Sequence, residues 1–112
     1  MKVRQLNNTN FPKTRRLIDD MTIEMYQDIT TGILHDDSPI QIASDIFDIW
    51  EVIAQSLYDN TNLTHREFLM CITRIQYVLE QAYKSLGVDC GVEQFLIEIV
   101  SRLKGSPNLL VD

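Results

Sequence analysis

Hydrophobic residues recur every three or four positions in four stretches of this chain, with polar residues between them. That spacing places the hydrophobic side chains on one face of an α-helix, whereas a half-buried β-strand would alternate polar and apolar residues. Spacings of three, four and seven dominate even where isoleucine and valine, which favour strands, are frequent. The pattern therefore predicts four helices, near residues 12–33, 39–58, 65–86 and 91–104.

The predicted inner faces differ in width. The first helix carries a narrow apolar stripe, formed by Ile18, Met21, Met25, Ile29 and Ile33. The second helix is apolar over about half of its circumference, which is wider than the stripe of a simple surface helix. It therefore either lies at the centre of the bundle or supplies an interface. Ile23 and Val52 are predicted to point outward.

Helix-capping residues stand at the ends of these stretches. Ser38 precedes a proline as the N-cap of the second helix, and Thr64 with Glu67 has the spacing of a capping box. Gly32 and Gly87 are suited to end the first and third helices. A polar cluster at 59–62 marks a turn.

Four amphipathic helices with short connections predict an all-α fold, an antiparallel four-helix bundle. The predicted organisation is a flexible or extended arm over 1–10, a single helical domain over 11–106 and an apolar tail over 107–112.

Composition limits the chain to one domain. It has 112 residues, 45% of them hydrophobic, and a chain of this size buries roughly 65% of its unfolded surface without a metal or a disulfide. The formal net charge of −6 argues against a surface that binds nucleic acid or anionic lipid as a whole.

The charges are unevenly distributed along the chain. Residues 1–16 carry five basic side chains and no acid, residues 17–59 carry ten acids and no Lys or Arg, and the rest is nearly balanced. We predict that this acidic stretch forms a docking face for a basic protein partner, through Asp20, Glu24, Asp28, Asp45, Asp48 and Glu51. The alternative is a solvated face that the basic arm partly neutralises.

A second candidate surface lies on the outer side of the third helix. Its residues combine Arg and Lys with an exposed Tyr and Met, and are Arg66, Met70, Arg74, Tyr77 and Lys84. Tyr and Arg are enriched at interface hot spots, so this stripe is predicted to bind a partner or an acidic face of a second copy, giving a homodimer. Single exposed apolar residues are also common on protein surfaces without any such role.

Catalytic and metal-binding patterns are weak. His35, Asp36 and Asp37 resemble a fragment of a metal or acid–base site, but acids there also cap the second helix, and no His or Cys is placed to complete a ligand set. His65 falls in the first turn of a helix without an evident nucleophile. We therefore expect no catalytic residues, no metal and no cofactor.

The cysteines and the N-terminus bear on the compartment. Cys71 and Cys90 match neither a redox motif nor a zinc site. No apolar run follows the early basic residues and no stretch reaches membrane-spanning length. The sequence thus predicts a cytoplasmic protein with two ordinary thiols and no membrane partner.

Taken together, these features predict a non-enzymatic protein–protein interaction module: a small inhibitor, an immunity factor or an adaptor that docks a basic partner through its acidic helical face. One alternative is a self-associating structural or regulatory subunit. Another is a nucleic-acid-linked regulator that uses the basic N-terminal arm, against which the net charge argues.

Overall fold

A computed structural model describes residues 6–89 of the chain. This range is all-helical, without strands, and contains three helices: α1 over Phe11–Leu34, α2 over Pro39–Tyr58 and α3 over His65–Leu86. The predicted first, second and third helices are confirmed, with bounds that agree to within one residue.

The predicted four-helix bundle is not supported, because three helices are found in the described range. The fourth predicted helix, 91–104, lies outside the described residues, as do the apolar tail over 107–112 and the first five residues of the arm.

Side-chain caps fix where two of the helices begin. The side chain of Asn10 accepts a hydrogen bond from the backbone N–H of Lys13 at 3.0 Å. The predicted capping box of α3 is confirmed: the Glu67 N–H donates to Thr64 Oγ1 at 3.1 Å, and the Thr64 N–H donates to Glu67 Oε1 at 3.0 Å. Ser38 occupies the N-cap of α2 as predicted, but its side chain makes no capping hydrogen bond.

Contacts between the ends of the helices define the topology. Each helix packs against the other two. Gly32, near the end of α1, lies beside Ile42 at the start of α2, and the Tyr83 hydroxyl at the end of α3 donates to the Ala43 carbonyl at 3.1 Å. Further along the same helices, Met25 of α1 contacts Trp50 of α2. Successive helices are therefore antiparallel, and α1 and α3 run in the same direction.

The core lies along the axis of this bundle. Its largest fully buried side chains are Leu6, Ile18, Met21, Met25, Trp50, Ile53, Leu57, Phe68, Ile72, Ile75 and Leu79. At its centre the indole N–H of Trp50 donates to the Met25 sulfur at 3.3 Å. The wide apolar arc predicted for the second helix is largely buried against α1 and α3.

One residue of the predicted apolar stripe is not in the core. Ile33 is 55% exposed. At 100° per residue it is rotated by about 60° from Ile18, which is fifteen positions earlier, so the stripe drifts off the buried face before α1 ends. Ile23 and Val52 are exposed, as predicted.

Residues 6–10, which fall in the predicted arm, pack on the helices. Leu6 is fully buried, and its N–H donates to Ser56 Oγ at 2.9 Å. Asn60 is 1% exposed and its side-chain amide donates to the carbonyls of Leu6 and Thr9, at 2.6 and 2.8 Å. The turn after α2 therefore holds the segment that leads into α1.

None of the helices in the described range is long and apolar enough to cross a membrane.

Candidate functional site

An acidic groove runs between α1 and α2 at the end where the two helices are joined. It has a volume of about 510 Å³. Its carboxylates come from Asp28 on α1, Asp37 in the connection, and Asp45 and Asp48 on α2. Its apolar surface comes from isoleucines of α2, namely Ile42, Ile46 and Ile49. We call this set of residues the acidic groove.

The close approach of the two helices depends on Gly32. A Cβ at this position would lie 2.9 Å from Ile42 Cδ1 and 3.1 Å from Ile42 Cγ1, closer than such atoms normally pack. Gly32 is buried inside α1 and does not end it. The prediction that this glycine ends the helix is therefore wrong, because α1 continues to Leu34. Without a side chain, Gly32 lets Ile42 of α2 pack closely on α1.

The chain leaves α1 through Asp36, which adopts a left-handed conformation with φ of 61°. The N–H of Asp36 donates to the Ile33 carbonyl at 3.1 Å, and the N–H of Asp37 donates to the Gly32 carbonyl at 2.9 Å. This is the Schellman pattern of helix termination, in which Asp36 occupies the position that glycine usually holds. The pattern fixes the backbone of Asp37 against the groove.

The electrostatic character of the acidic groove is uniform. Its lining, all within the described residues, includes no Lys or Arg. The side-chain amide of Gln41 donates to Asp45 Oδ1 at 2.9 Å. Because the amide is uncharged, it orients this carboxylate without neutralising it. Carboxylates set around an apolar floor suit a Lys or Arg side chain, whose aliphatic stem packs on isoleucine while its charged head meets the acids.

The structure brings together half of the predicted acidic face. Asp28, Asp45 and Asp48 line the acidic groove, whereas Asp20, Glu24 and Glu51 lie outside its lining. Asp20 is exposed, while Glu24 and Glu51 are partly buried.

Asp37 was absent from the predicted face. The sequence assigns Asp37 to capping of the second helix. Its position in the groove depends on the left-handed turn at Asp36, which sequence spacing does not reveal.

A basic groove lies on another side of the bundle, between the first turns of α1 and the outer surface of α3. Its volume is about 650 Å³ and it is open to solvent. Its cationic side chains are Arg15, Arg66 and Arg74, with His65 beside them, and its uncharged lining consists of Leu69, Met70, Thr73 and Tyr77. We call these eight residues the basic groove.

Four of the five residues predicted on the third helix meet in the basic groove; Lys84 lies outside its lining. Met70 and Tyr77 are 45% and 54% exposed, as an outward position requires. Arg15 and His65 were not predicted here. Arg15 was assigned to the basic arm, and it reaches α3 because α1 and α3 start at the same end of the bundle.

Three side-chain nitrogen atoms in the basic groove have no hydrogen-bond partner. Arg15 Nε, Arg74 Nε and His65 Nδ1 are buried and have no hydrogen-bond partner. The Arg15 guanidinium lies 5.7 Å from the centre of the Phe11 ring, and Arg74 Nη2 contacts Asp19 Oδ1 at 3.4 Å. Most buried N–H groups in folded proteins are hydrogen-bonded, so the Nε–H groups of Arg15 and Arg74 are candidates to bind an oxygen acceptor.

Cys71 lies in the core on the inner side of α3 and is a free thiol. Burial raises its pKa to about 11, while the nearby Arg15 charge lowers it and Glu67 raises it further. The thiol is therefore protonated at neutral pH and is a poor nucleophile. Cys90 lies outside the described residues.

His35, Asp36 and Asp37 are all exposed. Within residues 6–89, no group of three or more His, Cys, Asp or Glu side chains is arranged to hold a metal ion.

No known protein family, curated protein or solved structure matches the chain.

Proposed function

We propose that this chain is a non-enzymatic protein-binding module whose acidic groove docks a basic segment of a protein partner, as a small inhibitor, immunity factor or adaptor does. The observation that carries the proposal is the convergence of four aspartates from α1, α2 and their connection around an isoleucine floor. A cleft lined by charges of one sign concentrates the electric field, so four carboxylates in one groove attract a cationic partner.

The groove has the chemistry for one kind of ligand. A bound Lys or Arg gains both the apolar contact of its stem and the attraction of the carboxylates. Each exposed charge contact contributes about 0.5 kcal/mol. Three such contacts therefore contribute about 1.5 kcal/mol, which corresponds to roughly tenfold in affinity.

A cytoplasmic setting belongs to the same proposal. It is supported by the free thiol of Cys71, since reduced cysteines are the rule in reducing compartments. The protonated state of that thiol at neutral pH also supports a binding role over covalent catalysis at this residue.

Titration with a basic amphipathic peptide of alternating lysine and leucine pairs tests the proposal by calorimetry. The groove variant carries Asp37→Asn, Asp45→Asn and Asp48→Asn. The matched control carries Asp36→Asn, Asp59→Asn and Asp89→Asn, at exposed positions outside the groove lining.

Both variants have the same net charge, so a difference between them reports on the site. We expect the groove variant to bind about tenfold more weakly than the wild type and the control to stay within threefold. Equal losses in the two variants would show that the peptide senses only overall charge, and the proposal would then fail.

A further inference from the structure

We propose that the basic groove is a second binding site, which takes an acidic peptide segment of another protein that carries an apolar side chain. This goes beyond the function proposed above, because it uses another surface and a partner of opposite charge. Its basis is the coincidence, in one open groove, of three guanidinium groups, an apolar surface and buried donors that lack acceptors.

The donors specify an oxyanion. No acid is among the described residues that line the groove. Arg74 has one long contact to Asp19, while its Nε and that of Arg15 are without acceptors. A carboxylate accepts two parallel N–H donors from one guanidinium, so modest side-chain rotations would pair these nitrogens with a bound acid.

The apolar lining separates a peptide from a simple ion or a nucleic acid. Leu69, Met70 and Tyr77 are exposed side by side along α3. An inorganic anion has no apolar group to pack on these side chains, whereas a leucine or phenylalanine between acidic residues does. Nucleic acid would also meet the strongly acidic remainder of a protein whose net charge is −6.

The length of the groove matches a short peptide. From His65 to Tyr77 the helix rises about 18 Å at 1.5 Å per residue. An extended peptide covers that distance with about six residues, at roughly 3.3 Å each.

The probe for this site is a capped hexapeptide in which two glutamates precede, and two follow, a leucine and a phenylalanine. Binding is followed by calorimetry and by the NMR signals of the arginine Nε–H groups. One control peptide replaces the glutamates by glutamines, and another replaces the two apolar residues by glycine and serine.

Two protein variants locate the binding. The groove variant carries Arg66→Gln and Arg74→Gln, and the matched control carries Lys13→Gln and Lys84→Gln, which are exposed cations outside the lining. Both have the same net charge. If the groove variant does not fold, as judged by circular dichroism, Met70→Asp at an exposed position replaces it.

The proposal predicts that the wild type binds the acidic hexapeptide, that the Nε–H signals of Arg15 and Arg74 shift, and that the groove variant binds at least tenfold more weakly. The lysine control should stay within threefold, and each control peptide should bind at least fivefold more weakly.

Four results would overturn it. They are no binding at 1 mM peptide, equal binding by either control peptide, equal binding by inorganic phosphate, and the same Nε–H shifts on raising the protein concentration alone, which would indicate a second copy. None of these results bears on the acidic groove, whose residues the variants leave intact.

Discussion

Replacing Asn60 by alanine should strongly destabilise the fold, although the residue lies in a turn. Its side chain donates to the carbonyls of Leu6 and Thr9 and accepts from the N–H of Asn62 at 2.8 Å. Alanine removes this partner from two buried carbonyls and from the partly buried N–H of Asn62.

The expected cost follows from these three hydrogen bonds. At about 1 kcal/mol each they predict a loss of about 3 kcal/mol. A domain of this length has about 6–17 kcal/mol of total stability, so the loss is a large fraction of it. With a urea dependence of about 1–3 kcal/mol per molar, the unfolding midpoint should fall by about 1–3 M.

Urea unfolding followed by the fluorescence of Trp50, the single tryptophan, measures this directly. Asn62→Ala is the matched control, because that side chain is exposed and its backbone N–H survives the substitution. We expect the control to change stability by less than about 0.5 kcal/mol. If Asn60→Ala also costs less than 0.5 kcal/mol, the role assigned to this side chain is refuted.

Four further predictions concern α1 and the core. Asp36→Gly should raise the free energy of unfolding by about 1 kcal/mol, because glycine adopts the left-handed φ of 61° without strain; an unchanged or lower melting temperature would contradict this. Gly32→Leu should cost about 1–3 kcal/mol, since its Cβ would already press on Ile42; a urea titration that shows no loss would contradict the close approach of α1 and α2. In a Cys90→Ser background, native Cys71 should react with a thiol reagent at pH 8 at least about 100-fold more slowly than a free thiol, because its pKa is about 11 against 9.0. The Cys71 thiol ionises at lower pH in the unfolded chain than in the folded protein. The stability that its burial as a neutral thiol contributes is therefore fully present below pH 9 and is lost as the pH rises towards 11. A free energy of unfolding that does not decline over that range would contradict the raised pKa.

The helices in the described range were predictable from the sequence because their signals are local. The spacing of apolar residues repeats within each segment, and the capping box of Thr64 and Glu67 involves residues three positions apart. Gly87, with a φ of 68°, ends α3 for the reason that glycine usually does.

The acidic groove was predictable in part. The absence of cations between residues 17 and 59 pointed to an acidic face. The packing of α1 on α2 brings Asp28, Asp45 and Asp48 of that face into one groove. Asp37 could not be predicted in the same way, since its place depends on the backbone conformation of the residue before it.

The burial of Asn60 and the place of Arg15 were not predicted, because they depend on contacts between residues that are distant in the sequence. Asn60 looked like an ordinary turn residue, and its burial depends on Leu6 and Thr9, which are more than 50 positions away. Arg15 joins α3 only because the first and third helices begin at the same end of the bundle. Neither relation leaves a periodic trace in the sequence.

The most direct test of the proposed docking is to map where a basic peptide binds. In a ¹H–¹⁵N NMR titration with the lysine–leucine peptide, we expect the largest amide shifts on residues of the acidic groove, including Asp37, Ile42 and Ile46. If the largest shifts lie elsewhere, or are spread evenly over the exposed acids, the acidic groove is not the docking site.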